Sequence, residues 1–329
     1  MIAAFQGWLT QPDFFYHWGL KAARYFESRT VDYGFFQNPS AWRTHPDYPN
    51  LVPELFLLPA FWAGAFDETA ALSVGASWFA LLVLAFRLGL LSAGLRGFRL
   101  ELVHAWASAV LLSFAVAHPL VGSADVLPAC ALLLTLPPLL AEAQSPVAVE
   151  QLSLGAALAA ASKIEGVPLS LVLMALGTWK FVQQKERWTR IAGGWSLMLA
   201  VILPWWAMAR LRQLFLPSNV GPLELGRLGD ILWGWAWAAS LPEWNGVPWM
   251  LLILPGLLLV PKFRLAALAC LGHLAVQLGA YLTAEGVDLR MLLLTSSPRL
   301  LFQVVPASLV LVMAWALRHG SREGVRGWS

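Results

Sequence analysis

Charge is what this sequence has least of. Asp, Glu, Lys and Arg make up 12% of its 329 residues, against 58% apolar residues. A water-soluble globule of that composition would expose more apolar surface than water tolerates, which excludes a soluble domain. The mean hydropathy of +0.64 points to an integral membrane protein. The net charge of +3 is small and its basic residues are spread out, which excludes nucleic acid as a partner. Only two cysteines occur, Cys130 and Cys270, both inside apolar runs where a thiol acts as a small buried hydrophobe, so they carry no information on redox compartment. CxxC, HxxxH, GxGxxG and P-loop patterns are absent, as is a Ser-His-Asp order with useful spacing. Zinc, dinucleotide and nucleoside-triphosphate chemistry therefore lack a motif. No site is assigned to a metal; a divalent ion at Asp13 and a second acid stays open, without a pattern behind it. Composition marks no low-complexity tract and no heptad repeat. Met1 to Thr10 has neither the basic start nor the long apolar core of a signal peptide, and Gln11-Pro12-Asp13 follows at once, so the chain opens in a polar loop.

What is present is a series of apolar runs. A bilayer core of about 30 Å needs roughly 20 apolar residues per helical span. Runs near 71–91, 102–120, 126–142, 147–162, 166–182, 189–209, 247–261, 265–284 and 298–317 give an expected nine spans in an all-α, polytopic transmembrane helix bundle. Two shorter pieces, about 50–66 and 230–242, are broken by Pro53, Pro59 and Pro242 and read as interfacial helices. The expected organisation is an outer-face loop with juxtamembrane helices over 1–70 and a multi-span domain over 71–329.

Charge decides orientation. If the two short pieces do not cross, one face collects Arg87, Arg96, Arg99, Lys180, Lys185, Arg187, Arg190, Lys262, Arg264, Arg318, Arg322 and Arg326, against Glu101, Glu142, Glu150, Glu186 and Glu323. Lys and Arg accumulate on the cytoplasmic side, so this face is the inside. The N-terminal block, Asp125, Lys163/Glu165 and the segments 210–246 and 285–299 then lie outside. Trp205, Trp206, Trp233, Trp235, Trp237, Trp244 and Trp249 fall where the outer interface is expected.

The polar residues of that face form five groups. Residues 12–28 read as one amphipathic helix, with Pro12 in its first turn and Asp13, His17, Lys21 and Arg24 on one side. An acid, an imidazole and two cations there could cap a surface helix, or deprotonate a hydroxyl and bind phosphate. His45-Pro46-Asp47-Tyr48-Pro49 predicts a stiff, extended turn, structural or holding its His and Asp toward a site. Asp125 reads as a helix cap or an isolated acid at the head of a span. Lys163-Ile164-Glu165-Gly166 interrupts two apolar helices, either as a salt-bridged turn or with Lys163 as a phosphate ligand. Ser296-Ser297-Pro298-Arg299 opens the last span, its Arg either snorkelling to lipid headgroups or binding an anion.

Pro12-Asp13-Phe14-Phe15-Tyr16-His17-Trp18-Gly19-Leu20-Lys21-Ala22 followed by His45-Pro46-Asp47-Tyr48-Pro49 resembles the first outer loop of multi-spanning bacterial glycosyltransferases of the GT-C superfamily. These are relatives of the protein O-mannosyltransferase and aminoarabinose transferase group. Ser123-Ala124-Asp125-Val126-Leu127-Pro128, Ser162-Lys163-Ile164-Glu165-Gly166 and Ser296-Ser297-Pro298-Arg299-Leu300-Leu301 fit the same relatives in the same order. The resemblance implies inverting transfer of a sugar from a polyprenyl-phosphate donor to a hydroxyl of a glycan, lipid or protein acceptor, outside the bacterial inner membrane. Asp13 matches the family's general base. Lys163, Arg299 and His45 are candidates to hold the donor phosphate, supported by His17, Lys21, Asp47, Tyr48, Asp125 and Glu165. Relatives usually begin with a span before this loop and often carry paired acids where Asp13 is followed by Phe14 and Phe15. A short form, a fragment or a displaced start is therefore expected. Two other readings stand beside transfer: a degenerate relative that binds a lipid-linked glycan without catalysis, and a lipid or solute transporter with Asp125, Lys163/Glu165 and Arg299 along its path.

Overall fold

The structure, a computed structural model, describes residues 13–38, 41, 44–46, 48–118, 120, 122–142, 145–214, 221–286 and 288–323, with side chains to 318. It is all-α, and the described residues contain no strand. A π-helical turn, Phe14–Trp18, runs into α1 (Gly19–Ser28). Next come α2 (Leu51–Ala63), α3 (Glu68–Ala93), α4 (Gly97–Ala117), α5 (Val126–Leu140) and α6 (Ala148–Ser162). The rest of the bundle is α7 (Gly166–Gln183), α8 (Trp188–Leu211), α9 (Leu228–Ala239), α10 (Arg264–Leu282) and α11 (Leu289–Glu323).

Among the described residues six helices are long and apolar enough to cross a membrane: α3, α4, α7, α8, α10 and Leu289–Arg318 of α11. The protein is therefore an integral membrane protein, and of the nine expected spans six are described helices of that length. Helices α5 and α6 have 15 residues each, about 22 Å at 1.5 Å per residue, which is short of the hydrocarbon core. In the 247–261 run, Pro248 and Pro255 break the α pattern into a 3₁₀ segment, Val247–Ile253, and a single turn, Leu254–Leu257. The last helix differs in the opposite direction. It begins at Leu289, where Asp288 Oδ1 accepts the N–H groups of Arg290 and Met291, and continues through Pro298 and Pro306. Neighbouring helices and hydroxyls satisfy the backbone that proline frees inside a bundle. Ser296-Arg299 is therefore helix interior, not helix start.

The helices are ordered by how much lipid they see. Thirteen of the fifteen α5 residues are buried, so α5 is the core element, packed between α3, α6 and α11. Its neighbour α6 is rich in Ala, Ser and Gly, which lets helix backbones approach closely. In α11 78% of the span is buried, against 28% in α8, which faces lipid along most of its length.

The bundle has two polar ends. At one, Lys262 pairs with Glu142, Arg190 with Glu150 and Glu186, and Arg318 donates to the Ala93 carbonyl. At the other lie Asp125, Lys163 and Arg299. Helices α5 and α6 run between these ends although each is short, so the Lys- and Arg-rich turns gather at the end opposite Asp13. The interfacial pieces are also helical, as α2 and α9. Two tryptophans depart from the interfacial expectation: Trp205 is buried, and Trp244 is fully buried, stacked on Phe114 with centroids 3.7 Å apart. Cys130 and Cys270 are free and buried, as their apolar surroundings require.

Candidate functional site

Asp125 is the hub of the end that carries Asp13. It sits at the N-terminal end of α5, 0% exposed, after a turn that Gly122 makes with φ +89°, a conformation glycine adopts without strain. A Cβ at Gly122 would also come within 2.9 Å of Phe14 and Leu72, so the turn and the N-terminal segment fit together only with glycine there. Asp125 Oδ1 accepts from Lys163 Nζ at 2.9 Å and Gln303 Nε2 at 2.6 Å. Its Oδ2 accepts from Ser123 Oγ at 2.5 Å and Arg299 Nε at 2.9 Å. Burial alone would raise the Asp125 carboxyl, but Arg299 and Lys163 outweigh it and hold the group far below the usual carboxylate range. Burial likewise opposes the charge on Lys163, and Asp125 and Glu165 overcome it, leaving the ammonium above its ordinary value.

Lys163 and Glu165 are delivered by the sharp turn between α6 and α7. Gly166 permits that turn, because a Cβ there would collide with the Ala159 carbonyl of the preceding helix. Arg299 comes from the interior of α11 and joins both ends of the sequence. Its Nη1 and Nη2 donate to Asp13 Oδ1 and Oδ2 at 3.1 and 2.5 Å, a two-pronged ion pair. Arg299 therefore turns inward to protein carboxylates instead of snorkelling to headgroups.

The N-terminal helix uses its polar face differently from the sequence reading. Lys21 is fully buried and clamps the following loop, donating to the His45 carbonyl at 2.5 Å and reaching the Tyr48 carbonyl at 3.5 Å. His17 and His45 rings stand 4.7 Å apart and His45 and Tyr48 rings 4.6 Å apart. Burial, then the neighbouring His45, lowers His17 to about 4. Arg24 lies over Phe35, 4.5 Å from its centroid, and away from the cluster. The His45-Pro46 turn is not extended: His45 has φ 47° and its carbonyl also accepts from Tyr48 N at 3.0 Å. The two donors on one carbonyl fold the segment over despite the pre-proline preference. Asp47 lies outside the described residues.

Two cavities share Arg299 as a wall. One, about 370 Å³, is lined by His45, Tyr48, Asp125, Lys163, Glu165, Tyr281, Ser296 and Arg299. In it Tyr48 OH donates to Glu165 Oε1 at 3.2 Å, while Glu165 Oε2 is buried without a hydrogen-bond partner. The other, about 280 Å³, is lined by Asp13, His118, Trp237, Leu294, Thr295, Pro298 and Arg299. So Asp13, Asp125, Lys163 and Arg299 are joined by direct bonds, His45, Tyr48 and Glu165 line the same space, and His17 and Lys21 support the loop behind it. Among the described residues no three His, Cys, Asp or Glu side chains group as a metal-ligand set.

Sequence reasoning passed over a buried polar relay behind Asp125. Gln303 Oε1 meets His273 Nε2 at 2.9 Å, and Gln277 Nε2 donates to the Leu300 carbonyl at 2.9 Å. Gln303 already donates to Asp125, so its oxygen is left facing His273 Nε2, which Gln277 Nε2 also approaches at 3.2 Å. The signal was available: Gln303 follows Arg299 by four residues, and Gln277 follows His273 by four, each pair alone in an apolar run.

The fold and this cluster define an all-helical integral membrane protein with a charged, partly buried cavity system at one end. The sequence matches no protein-family model, and neither a curated protein nor a solved structure is significantly similar to it.

Proposed function

We propose that the protein transfers a sugar from a polyprenyl-phosphate donor to an acceptor hydroxyl, with inversion, at the outer face of a bacterial inner membrane. This is the activity implied by its resemblance to GT-C membrane glycosyltransferases. The observation that carries the reading is the position of Arg299, one guanidinium on the wall of two cavities, with Asp13 on one side and Lys163 on the other. Lys163 and Arg299 hold the donor phosphate, beside His45. Asp13 takes the proton of the acceptor hydroxyl, whose oxygen attacks the anomeric carbon opposite the phosphate. The bond from that carbon to the phosphate oxygen breaks, and its electron pair leaves on the polyprenyl phosphate, stabilised by the two cations.

Both oxygens of Asp13 are engaged by Arg299. A donor phosphate competes for the same guanidinium fork, so donor binding is the event that frees the base. Purified protein given a polyprenyl-phosphate sugar should release the lipid phosphate, and Asp13→Asn should cut the rate by about 100-fold or more. Turnover unchanged in Asp13→Asn removes the assignment. The same engagement of Asp13 favours a second reading, a lipid-linked glycan binder without catalysis. Donor binding by the unaltered protein with no lipid phosphate released would establish it.

A further inference from the structure

A third cavity, apart from the Asp13–Arg299 cluster, opens where the first turn of α9 meets the first turn of α11. It holds about 400 Å³ and is lined by Asp230, Trp233, Leu289, Arg290 and Leu293, a size within the roughly 300–1,000 Å³ of small-ligand sites. Arg290 stands in the first turn of α11, the positive end of the helix dipole, two residues after the capping carboxylate of Asp288. Asp288 Oδ1 caps the helix on the Arg290 and Met291 N–H groups, and Asp288 is not part of the cavity wall. The guanidinium lies over Trp233, 5.5 Å from the ring centroid. Asp230 lines the same cavity from α9, and among the described residues no ion pair joins it to Arg290.

The cavity lies at the membrane surface, since Leu289 begins the apolar 30-residue segment of α11. Beside it Leu232 and Met291 are 53% and 62% exposed, an apolar flank open to acyl chains. We infer that this cavity binds the headgroup of an aminophospholipid, phosphoethanolamine. Arg290 takes the phosphate, Asp230 accepts from the primary ammonium, and the chains descend past Trp233 and Leu232. A cation and a carboxylate on the walls of one pocket suit a zwitterion that carries both a phosphate and an ammonium. An anionic lipid without an amine would leave Asp230 facing a second negative charge.

The test is native mass spectrometry of the full chain in detergent, titrated separately with dioleoyl phosphatidylethanolamine and dioleoyl phosphatidylglycerol. The ethanolamine lipid should bind about tenfold tighter. Arg290→Gln should weaken both lipids, and Asp230→Asn should erase the preference by weakening the ethanolamine lipid alone. Both side chains belong to exposed residues, so neither substitution threatens the fold. Equal affinity of the unaltered protein for the two lipids, or a preference that survives Asp230→Asn, overturns the inference.

Discussion

Replacing Asp125 with asparagine keeps the shape of the hub and removes its charge. Oδ1 receives Lys163 and Gln303, and Oδ2 receives Ser123 and Arg299. One of these oxygens must become an NH2 group, and either choice sets it against two donors. The less costly orientation keeps the amide oxygen on Lys163 and Gln303 and turns the NH2 toward Ser123, whose hydroxyl can accept. Arg299 then loses its bond to position 125 but keeps Asp13. Lys163, whose side chain is 8% exposed, is left as a buried ammonium without a paired carboxylate. Breaking a buried pair from one side costs about 3–5 kcal/mol. Solvent near Asp13 and Arg299, at 16% and 29% side-chain exposure, lowers the Arg299 share, so about 3 kcal/mol is expected. The assay is reversible unfolding in mixed micelles of the single variant, of Lys163→Met and of the double variant. Removing both charges should recover at least about 1 kcal/mol relative to the sum of the single losses. A single-variant loss below about 1 kcal/mol, or strict additivity in the cycle, would refute the account of Asp125 as a charge-paired hub.

Three further outcomes follow from the geometry. Gly166→Ala puts a methyl group onto the Ala159 carbonyl, so α6 and α7 must shift apart; a loss of about 1–3 kcal/mol is expected, with faster hydrogen exchange at 163–166, whereas Gly193→Ala, with open space around it, should be neutral. Lys21→Met preserves volume but removes the clamp on the His45 and Tyr48 carbonyls, costing about 1–3 kcal/mol and exposing 44–48 to limited proteolysis before any change at the opposite end of the bundle. His17 titrates lower in the folded chain than in the unfolded one, so between pH 6.5 and about 4 the unfolded state binds more protons; its stabilising contribution is full above pH 6.5 and declines as pH falls through that window, and slower unfolding at pH 7 than at pH 4.5 should shrink in His17→Gln.

Much of this site was legible because polar residues are conspicuous in an apolar chain. Asp125, Lys163 and Arg299 each interrupt an apolar pattern, and charge at that depth is seldom left without a role. Helix α1 and the short α2 followed from the spacing of apolar residues and from Pro53 and Pro59. Pairing was not legible, since Asp13 and Arg299 are 286 residues apart and composition carries no record of who meets whom. Lys21 shows the limit of face-sharing arguments: its position at four residues from His17 is correct, yet the face is covered by the 44–48 turn. Six described helices, not nine, have spanning length for a related reason. Hydropathy reads a buried core helix such as α5 and a lipid-facing helix such as α8 alike, whereas length, 15 against 24 residues, separates them.

The charge balance of the cluster constrains how an anion can enter it. Asp13 and Asp125 already match Lys163 and Arg299, and Glu165 on the cavity wall tips the local sum negative. A phosphate added to that arrangement would be repelled unless a carboxylate leaves. Asp125 is fixed by four donors and has no exposure, so it cannot move. Asp13 is held by Arg299 alone among the bonds described here, on a helix turn at the cluster's edge. Under the proposed function the exchange would fall on Arg299, with Nε staying on Asp125 while its two Nη groups would pass from Asp13 to the incoming oxygen atoms. Under that proposal, anion binding and release of Asp13 would be one event. Phosphate analogues should protect the unaltered protein against unfolding, and Asp13→Asn, which removes the competing charge, should bind them more tightly.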